Sequence, residues 1–421
     1  MPDFTIIGCY GKFELAEVAG FGPRSPRETR TKRSPRMTTD RPFPSSVELV
    51  LGGHAMLVDT RAASPLALEA AVAAMAPATK AAITADLKCF LAWCKARRPV
   101  ATAVPAEPET LVHYLHWLAK GSDIRAGAKP ATLARRIASI ARIHRILGFG
   151  GREPLPTQAG MVRDTLKGIR RKKRERQRQA APLRLGEAMQ EGQAPPEGVT
   201  VNALLASCGS DIIGLRDAAL ISLAYDAGLR VSELVGATVV DLSQFGDGSG
   251  RLEITHSKTD QLGEGALAWL SADTMVRLSA WLLASGIAHG PVFRRINVLT
   301  SPPDAAGQRL VRHYIGSKPL TRQGVVAILR RRVLEAVDLG LVELEPGMEG
   351  DTVRGLSAHS FRVGLTQDLF AAGEDGAGIA LALRWSSPTT ALRYARELAV
   401  GNNAAARVLG RLRGGGSQTP A

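Results

Sequence analysis

Cysteine is scarce in this chain of 421 residues, with Cys9, Cys89, Cys94 and Cys208 as the full set. None forms a CxxC pair, which argues against a zinc site or a dithiol redox motif. Cys89 and Cys94 fall in an apolar, helix-like stretch, the usual setting of a reduced core thiol, and a reducing cytoplasm fits. Aromatic residues are also few, at 5%. No apolar run approaches membrane-spanning length, and no N-terminal segment has the charged-then-apolar layout of a secretory signal. Internal repeats are absent. Acidic residues are outnumbered, with 39 Asp and Glu against 54 Lys and Arg, a net charge of +15. Such a surplus points to a polyanion or an anionic membrane surface, and the missing apolar runs weaken the second.

What is present suffices for globular cores, since hydrophobic residues make up 45% of the chain. The length exceeds one typical core, so two domains with tails are expected. Residues 1–75 read as a disordered basic arm. The stretch from Arg24 to Arg41 mixes Arg, Lys, Pro, Ser and Thr with almost nothing large to bury. Met37 and Met56 are alternative starts within it.

Residues 76–178 read as a helical domain ending in a basic linker. Apolar spacing predicts helices over 84–93, 111–119, 131–147 and 158–169. The third carries a stripe of Leu133, Ile137, Ile140 and Leu147, with His144 in register. Its other face holds Thr132, Arg135, Arg136, Ser139 and Arg142, either a solvated surface or one turned to DNA. The densest charge run, from Lys167 through Arg170, Arg171 and Lys172 to Arg178, repels itself when alone. Phosphates would neutralise it and release counterions.

Residues 179–413 read as a second domain, and 414–421 as a flexible tail. A strongly apolar helix spans 216–225, and strands at 251–256 and 266–270 flank a polar turn carrying Lys258. Further helices are expected over 273–284, 321–337, 359–372 and 388–399. The stretches 186–199 and 300–308 read as loops. A last helix ends near Leu412, with the apolar residues Ala405, Val408, Leu409 and Leu412.

Six residues of this half stand out by their chemistry: Arg230, Lys258, His359, Arg362, Trp385 and Tyr394. Breaking a phosphodiester needs charge on the non-bridging oxygens, a nucleophile, and an acid for the leaving oxygen. Arginine suits the first task, because its planar fork stays charged and binds phosphate bidentately. Arg362 follows His359 by three residues, so an expected helix projects both from one face. With His359 at the helix start, the positive dipole end also faces the phosphate. A free phenol, with a pKa of about 10, needs help to attack at neutral pH, and guanidinium neighbours favour the phenolate. Ser387-Pro388 is a helix-start signature that places Tyr394 nearly two turns into its helix. Tyr394 is one of five tyrosines and lies between Arg393 and Arg396. Tyr225 sits in an apolar helix and reads as core. Taken singly, each arginine reads equally as surface, His359 as a helix cap and Trp385 as core.

The segments AGLRVSEL, HSKTD, HSFRVG and RWSSPTTALRYAR together resemble the tyrosine recombinase (phage integrase) family, and most closely its Cre-like branch. FLAWCK, PAEPE and IARIHRILG in the first half are similar to it as well, so the resemblance spans roughly residues 79–412. It implies a mainly α (α+β) fold: a helical core-binding (SAM-like) domain, then a catalytic domain of helices with a small antiparallel sheet. It implies a site-specific recombinase that cuts and rejoins duplex DNA through a 3′-phosphotyrosine, with no ATP, cofactor or metal. By the same resemblance Arg230 and Arg362 clamp the phosphate, and Glu233 either orients that clamp or is an ordinary helix salt-bridge partner. Lys258 protonates the leaving 5′ oxygen, His359 moves a proton with Tyr394, and Trp385 donates its indole N–H. Tyr394 is the nucleophile. Trp385 stands where many members carry histidine, which favours the Cre-like branch over the chromosome-dimer resolvases. The implied partner is double-stranded DNA bearing inverted repeats, bound by a dimer per site and a tetramer at synapsis. The implied setting is the cytoplasm, on the nucleoid. A type IB topoisomerase shares the chemistry, but the recombinase-like first domain and the terminal helix count against it. A non-catalytic relative would lack a nucleophile or a clamp arginine, and none is missing.

Overall fold

Pro65, Pro77, Pro108 and Pro130 each open a helix, in the first-turn position where a missing N–H costs nothing. In chain order these helices are α1 (Pro65–Ala73), α2 (Pro77–Ala96), α3 (Pro108–Lys120) and α4 (Pro130–Ile146), followed by α5 (Gly160–Lys173). The computed structural model describes residues 57–59, 64–122, 125–151, 154–175, 179–255, 265–304, 308–345 and 347–394, together with Ala405, Val408, Leu409 and Leu412. The chain divides into two compact units, residues 1–177 and 178–421.

In the first unit α2, α3 and α4 bury Phe90, Leu91, Leu111, Tyr114, Leu118, Leu133 and Ile140 in one core. Phe90, Trp93, Tyr114 and Trp117 form a chain of ring contacts, with centroids 4.8 Å apart at the closest pair, Phe90 and Tyr114. His144 lies inside as its register implies. Its Nε2 accepts the N–H of Ala106 at 2.9 Å and its Nδ1 faces the Ile140 carbonyl at 2.8 Å. Burial holds this imidazole below its ordinary pKa.

Two expectations change here. Part of the supposed arm is structured: Leu57 and Val58 are buried, Val58 bridges Val104, and Ser64 caps α1 by accepting the Ala67 N–H. The apolar side chains of Leu57, Val58 and Val72 supply the burial there. The basic face of α4 is also partly turned inward. Asp86, 2% exposed, pairs with Arg135 and Arg136 and accepts the Ser139 hydroxyl at 2.7 Å. Arg136 also donates to the Tyr114 hydroxyl, and Ser139 is buried. A carboxylate removed from water needs such partners, so Arg136 and Ser139 serve the core. Arg135 and Arg142 remain exposed. The charge run is helical as far as Lys173, because Val162 and Ile169 anchor α5 to the core. Lys167, Arg170, Arg171 and Lys172 all face solvent.

The second unit contains α6 (Val201–Ala206), α7 (Ile212–Asp226), α8 (Val231–Gly236), β1 (Leu242–Gln244), β2 (Gly250–Ile254) and β3 (Ala266–Leu270). After these come α9 (Ala272–Ser285), β4 (Arg294–Thr300), β5 (Val311–Pro319), α10 (Arg322–Asp338), α11 (Glu349–Gly355), α12 (Ser360–Ala371), α13 (Gly376–Ala382) and α14 (Pro388–Tyr394). The mainly helical fold with a small antiparallel sheet is as the resemblance implies. Among the described residues no helix is long and apolar enough to cross a membrane.

Helix α7 is buried nearly all round and forms the axis of this unit. The β1-β2-β3 sheet is antiparallel, with Leu252 opposite both Leu242 and Ala268. In β2 the burial alternates strictly, as a half-covered strand requires. The stretch from His256 to Glu264, where the polar turn carrying Lys258 is expected, lies outside the described residues. A second hairpin, β4-β5, occupies flanks of the stretch expected as a loop around 300–308. Most of its residues are exposed, so it lacks the alternation that marks a strand.

Helix α12 is fixed by the chain segment that enters this unit. Leu183 donates its N–H to the Ser360 carbonyl, and the Leu185 N–H and Arg184 side chain donate to Asp368. Tyr225 donates its hydroxyl to the same carboxylate at 2.6 Å, which makes it the core tyrosine it was expected to be. Backbone meets backbone at Gly364, where an added Cβ would lie 1.8 Å from the Leu183 carbonyl oxygen. The variant Gly364→Ala is expected to destabilise the second unit by about 2 kcal/mol or more, the usual scale of overpacking. Calorimetry of wild type and variant checks this, and an unchanged melt would mean that the Leu183 segment shifts freely.

Candidate active site around Tyr394

Three turns and one short helix bring the catalytic candidates together. The first turn joins α7 to α8 through Ala227, Gly228 and Leu229, ending at Arg230. Gly228 has φ of 50° and packs against Leu383, so a Cβ there would fall 2.3 Å from the Leu383 Cδ2. Left-handed backbone and lack of space both call for glycine. Glu233, in the first turn of α8, accepts the Arg230 N–H through Oε2 at 2.9 Å. Its Oε1 accepts the Arg230 guanidinium at 2.7 Å. One carboxylate thus caps the helix and holds the side chain of the residue that precedes it.

The second turn delivers α12. His359 stands immediately before the helix and Arg362 within its first turn. Arg362 is 1% exposed. Its Nη1 donates to the Gly228 carbonyl at 2.6 Å, its Nη2 donates to the Leu383 carbonyl, and its Cζ lies 5.1 Å from the centre of the Trp385 ring. Burial pushes its pKa down to about 9, assisted by the charges of Arg230 and Arg384 and opposed by Glu233 and Tyr394.

The third turn, Leu383-Arg384-Trp385, follows α13. Arg384 has φ of 55°, one of two non-glycine residues with positive φ among those described. A side chain in that region costs about 1 kcal/mol or more. Its Nη2 donates to the Ala227 carbonyl at 2.9 Å and lies 3.5 Å from Glu233 Oε2. Arg384 was not singled out from sequence. Its only signal there is a cation next to Trp385, and its backbone angle leaves no mark in the letters.

Helix α14 supplies Tyr394. Its hydroxyl is 3.0 Å from His359 Nε2, and the two rings meet edge to face. The Trp385 ring stacks on Tyr394, with centroids 5.4 Å apart and planes 18° from parallel. Gln367 donates to the Tyr394 carbonyl at 3.3 Å, and Gln179 to the Arg393 carbonyl at 3.2 Å, which tie the helix down. Burial, then the charges of Arg362 and Arg230, hold His359 below its ordinary pKa. A neutral imidazole at neutral pH is therefore positioned against a phenol.

Five of the six sequence candidates stand in these turns and α14, and Lys258 lies outside the described residues. Arg230, Arg362 and Arg384 share one carboxylate, Glu233, so positive charge exceeds negative. Such a site suits a phosphate group, which would meet charge without needing water reorganised. Among the described residues no group of three or more His, Cys, Asp or Glu is arranged to hold a metal ion.

The phage integrase family model matches residues 197–399. An integrase/recombinase XerD homolog of Selenomonas ruminantium is 32% identical over 251 residues, covering 56% of this chain and 67% of the relative. The Cre recombinase of Escherichia phage P1 is 25% identical over 328 residues, covering 76% of this chain and 84% of its own. Identity is thus higher to the first and coverage greater to the second. Among solved structures, the Tn1549 transposon integrase in complex with a circular intermediate DNA is similar over 79% of this chain and 95% of its own, at 13% identity and a TM-score of 0.47.

Glu233 makes a testable contribution to stability. Burial opposes its charge, yet the Arg230 N–H, the Arg230 guanidinium and Arg384 together hold its pKa below the ordinary carboxylate value. A depressed folded-state pKa stabilises the fold above the unfolded value, and that stability is lost as pH falls through the folded one. Glu233→Gln is therefore expected to be less stable than wild type at pH 7, by about 1–3 kcal/mol. The gap should narrow as pH falls below about 4.5. Thermal melts from pH 7 to pH 3 measure it, and a gap independent of pH would contradict the ion-pair account.

Proposed function

The chain belongs to the phage integrase family, the tyrosine recombinases, and we infer that it cuts and rejoins duplex DNA with Tyr394 as nucleophile. The observation that carries this reading is the 3.0 Å contact between the Tyr394 hydroxyl and His359 Nε2, in the same cluster as Arg230, Arg362 and Trp385. Tyr394 attacks the scissile phosphorus as its phenolic proton passes to His359 Nε2. The phosphorus–oxygen bond to the 5′ side breaks, leaving a 3′-phosphotyrosine and a 5′-hydroxyl. Arg230 and Arg362 neutralise the non-bridging oxygens, Glu233 orients Arg230, and the Trp385 indole N–H adds a donor. Attack by the 5′-hydroxyl of another strand reverses the step and conserves the bond, so no nucleotide hydrolysis is needed. Because Arg362 lies covered by Trp385, its engagement with phosphate requires the aromatic pair to move aside when DNA binds.

Lys258 is the proposed acid for the leaving 5′ oxygen, on the strength of its place in the polar turn between β2 and β3. The proposed phosphate contacts elsewhere are Arg135 and Arg142 on α4 and Lys167, Arg170, Arg171 and Lys172 on α5, all exposed. Affinity should then fall steeply with salt. The proposed DNA site is an inverted repeat bound by two protomers, with four at synapsis. Val408, Leu409 and Leu412, at 46%, 45% and 74% exposure, form an uncovered apolar set in the terminal segment, which supports docking into a neighbouring protomer.

Tyr394→Phe is expected to bind DNA as wild type does and to form no covalent adduct. A denaturing gel of protein with nicked site DNA checks this, and an adduct in the variant would assign the nucleophile elsewhere. For Lys258, replacing the bridging 5′ oxygen by sulfur gives a leaving group that hardly needs a proton. Lys258→Ala should cleave the sulfur substrate almost as well as wild type and the oxygen substrate very poorly. Failure of that rescue would leave Lys258 as a phosphate contact and make His359 the acid.

A further inference from the structure

Arg384 holds a backbone conformation that glycine would adopt without steric cost. Its two chain neighbours are both parts of the site. The Leu383 carbonyl accepts a hydrogen bond from Arg362, and the Trp385 ring covers Arg362 and stacks on Tyr394. The reversal of the chain at Arg384 therefore sets the position of both. Its side chain meanwhile returns to the opposite wall of the site, donating to the Ala227 carbonyl and lying beside Glu233, the carboxylate that also holds Arg230. The other terminal nitrogen, Nη1, is buried without a hydrogen-bond partner among the described residues. A strained backbone and a buried, incompletely satisfied cation are each unfavourable, and both occur at one residue. A turn former alone would need neither.

We propose that Arg384 is a positioning residue for DNA cleavage, acting through its side chain on Glu233 and thereby on Arg230. Its guanidinium and that of Arg230 grip the same carboxylate from two sides, so Glu233 cannot rotate away and Arg230 keeps its fork aimed at the phosphate. The backbone of Arg384 orders the Leu383 and Trp385 side of the site, and its side chain orders the Arg230 side. This rests on the reading of Tyr394 as nucleophile and goes beyond it by adding a residue to the machinery.

Glycine separates the two contributions, because Arg384→Gly keeps the turn and removes the side chain. The probe is a nicked duplex selected from a random-sequence pool by covalent capture on the wild-type protein. Adduct formation is followed under single-turnover conditions, beside DNA affinity and thermal melting. Arg384→Gly is expected to melt at or above the wild-type temperature and to bind the duplex as wild type does. Its adduct formation should be slower by roughly 10- to 100-fold, the scale of outer-shell positioning groups. Free guanidinium ion, kept below unfolding concentrations, should restore part of the rate in Arg384→Gly and none in Tyr394→Phe. A wild-type rate in Arg384→Gly, or a loss that guanidinium leaves untouched, overturns the proposal. Failure of the underlying reading looks different: no duplex is captured by wild type, or Tyr394→Phe still forms the adduct.

Discussion

A guanidinium group taken almost wholly out of water is the constraint on which the second unit is built. Removing a charge from solvent carries an effective penalty of several kcal/mol unless hydrogen bonds replace the lost water. Arg362 finds them in the Gly228 and Leu383 carbonyls and the face of Trp385. Those partners lie on two turns, which also meet where Gly228 packs on Leu383 and Arg384 donates to the Ala227 carbonyl, so satisfying one buried charge helps to draw the turns together. Gly228 must then be glycine, since any side chain would strike Leu383. Asp368 secures the other end of the arrangement by tying α12 to Tyr225 and to the entering segment at Arg184 and Leu185.

The same arrangement explains why the site is suited to an anion. Arg230, Arg362 and Arg384 repel one another beside the Glu233 carboxylate, and this repulsion adds to burial in pushing the Arg362 pKa down to about 9. Such repulsion makes the empty site less stable than a neutral core of the same size. A phosphate would relieve it, with Arg230 held ready and Arg362 reached once the aromatic pair moves aside. Burial, then the same field, holds His359 below its ordinary pKa, so a neutral ring nitrogen faces the Tyr394 hydroxyl.

Much of this could be read in the letters, for reasons that are local. The apolar spacing along α2 to α5, the Ser387-Pro388 start of α14 and the alternation in β2 are short-range signals, and those elements appear where the signals lie, whereas α1 falls in the stretch read as a disordered arm. The chemistry expected of Arg230, His359, Arg362, Trp385 and Tyr394 comes from the resemblance of the segments around them to the family, since each residue taken singly has an ordinary reading. What could not be read depends on distant partners. Asp86 lies 49 and 53 residues from Arg135 and Ser139, so the inward turn of that basic face was invisible. The β4-β5 hairpin is exposed over most of its length, with only Ile296 and Ile315 packed on the core, which is too little alternation to detect. Arg384 hides its role in a backbone angle, which one cation beside a tryptophan does not announce. Lys258 lies outside the described residues.

The site is discontinuous, and its parts appear during synthesis in a fixed order. Arg230 and its carboxylate emerge from the ribosome first, then His359 and Arg362, then the turn at Arg384. Tyr394 comes last. A chain that ends before α14 holds every cationic residue of this cluster and lacks the phenol. On the reading of Tyr394 as nucleophile, such a chain would be able to meet a phosphate and unable to cleave beside it.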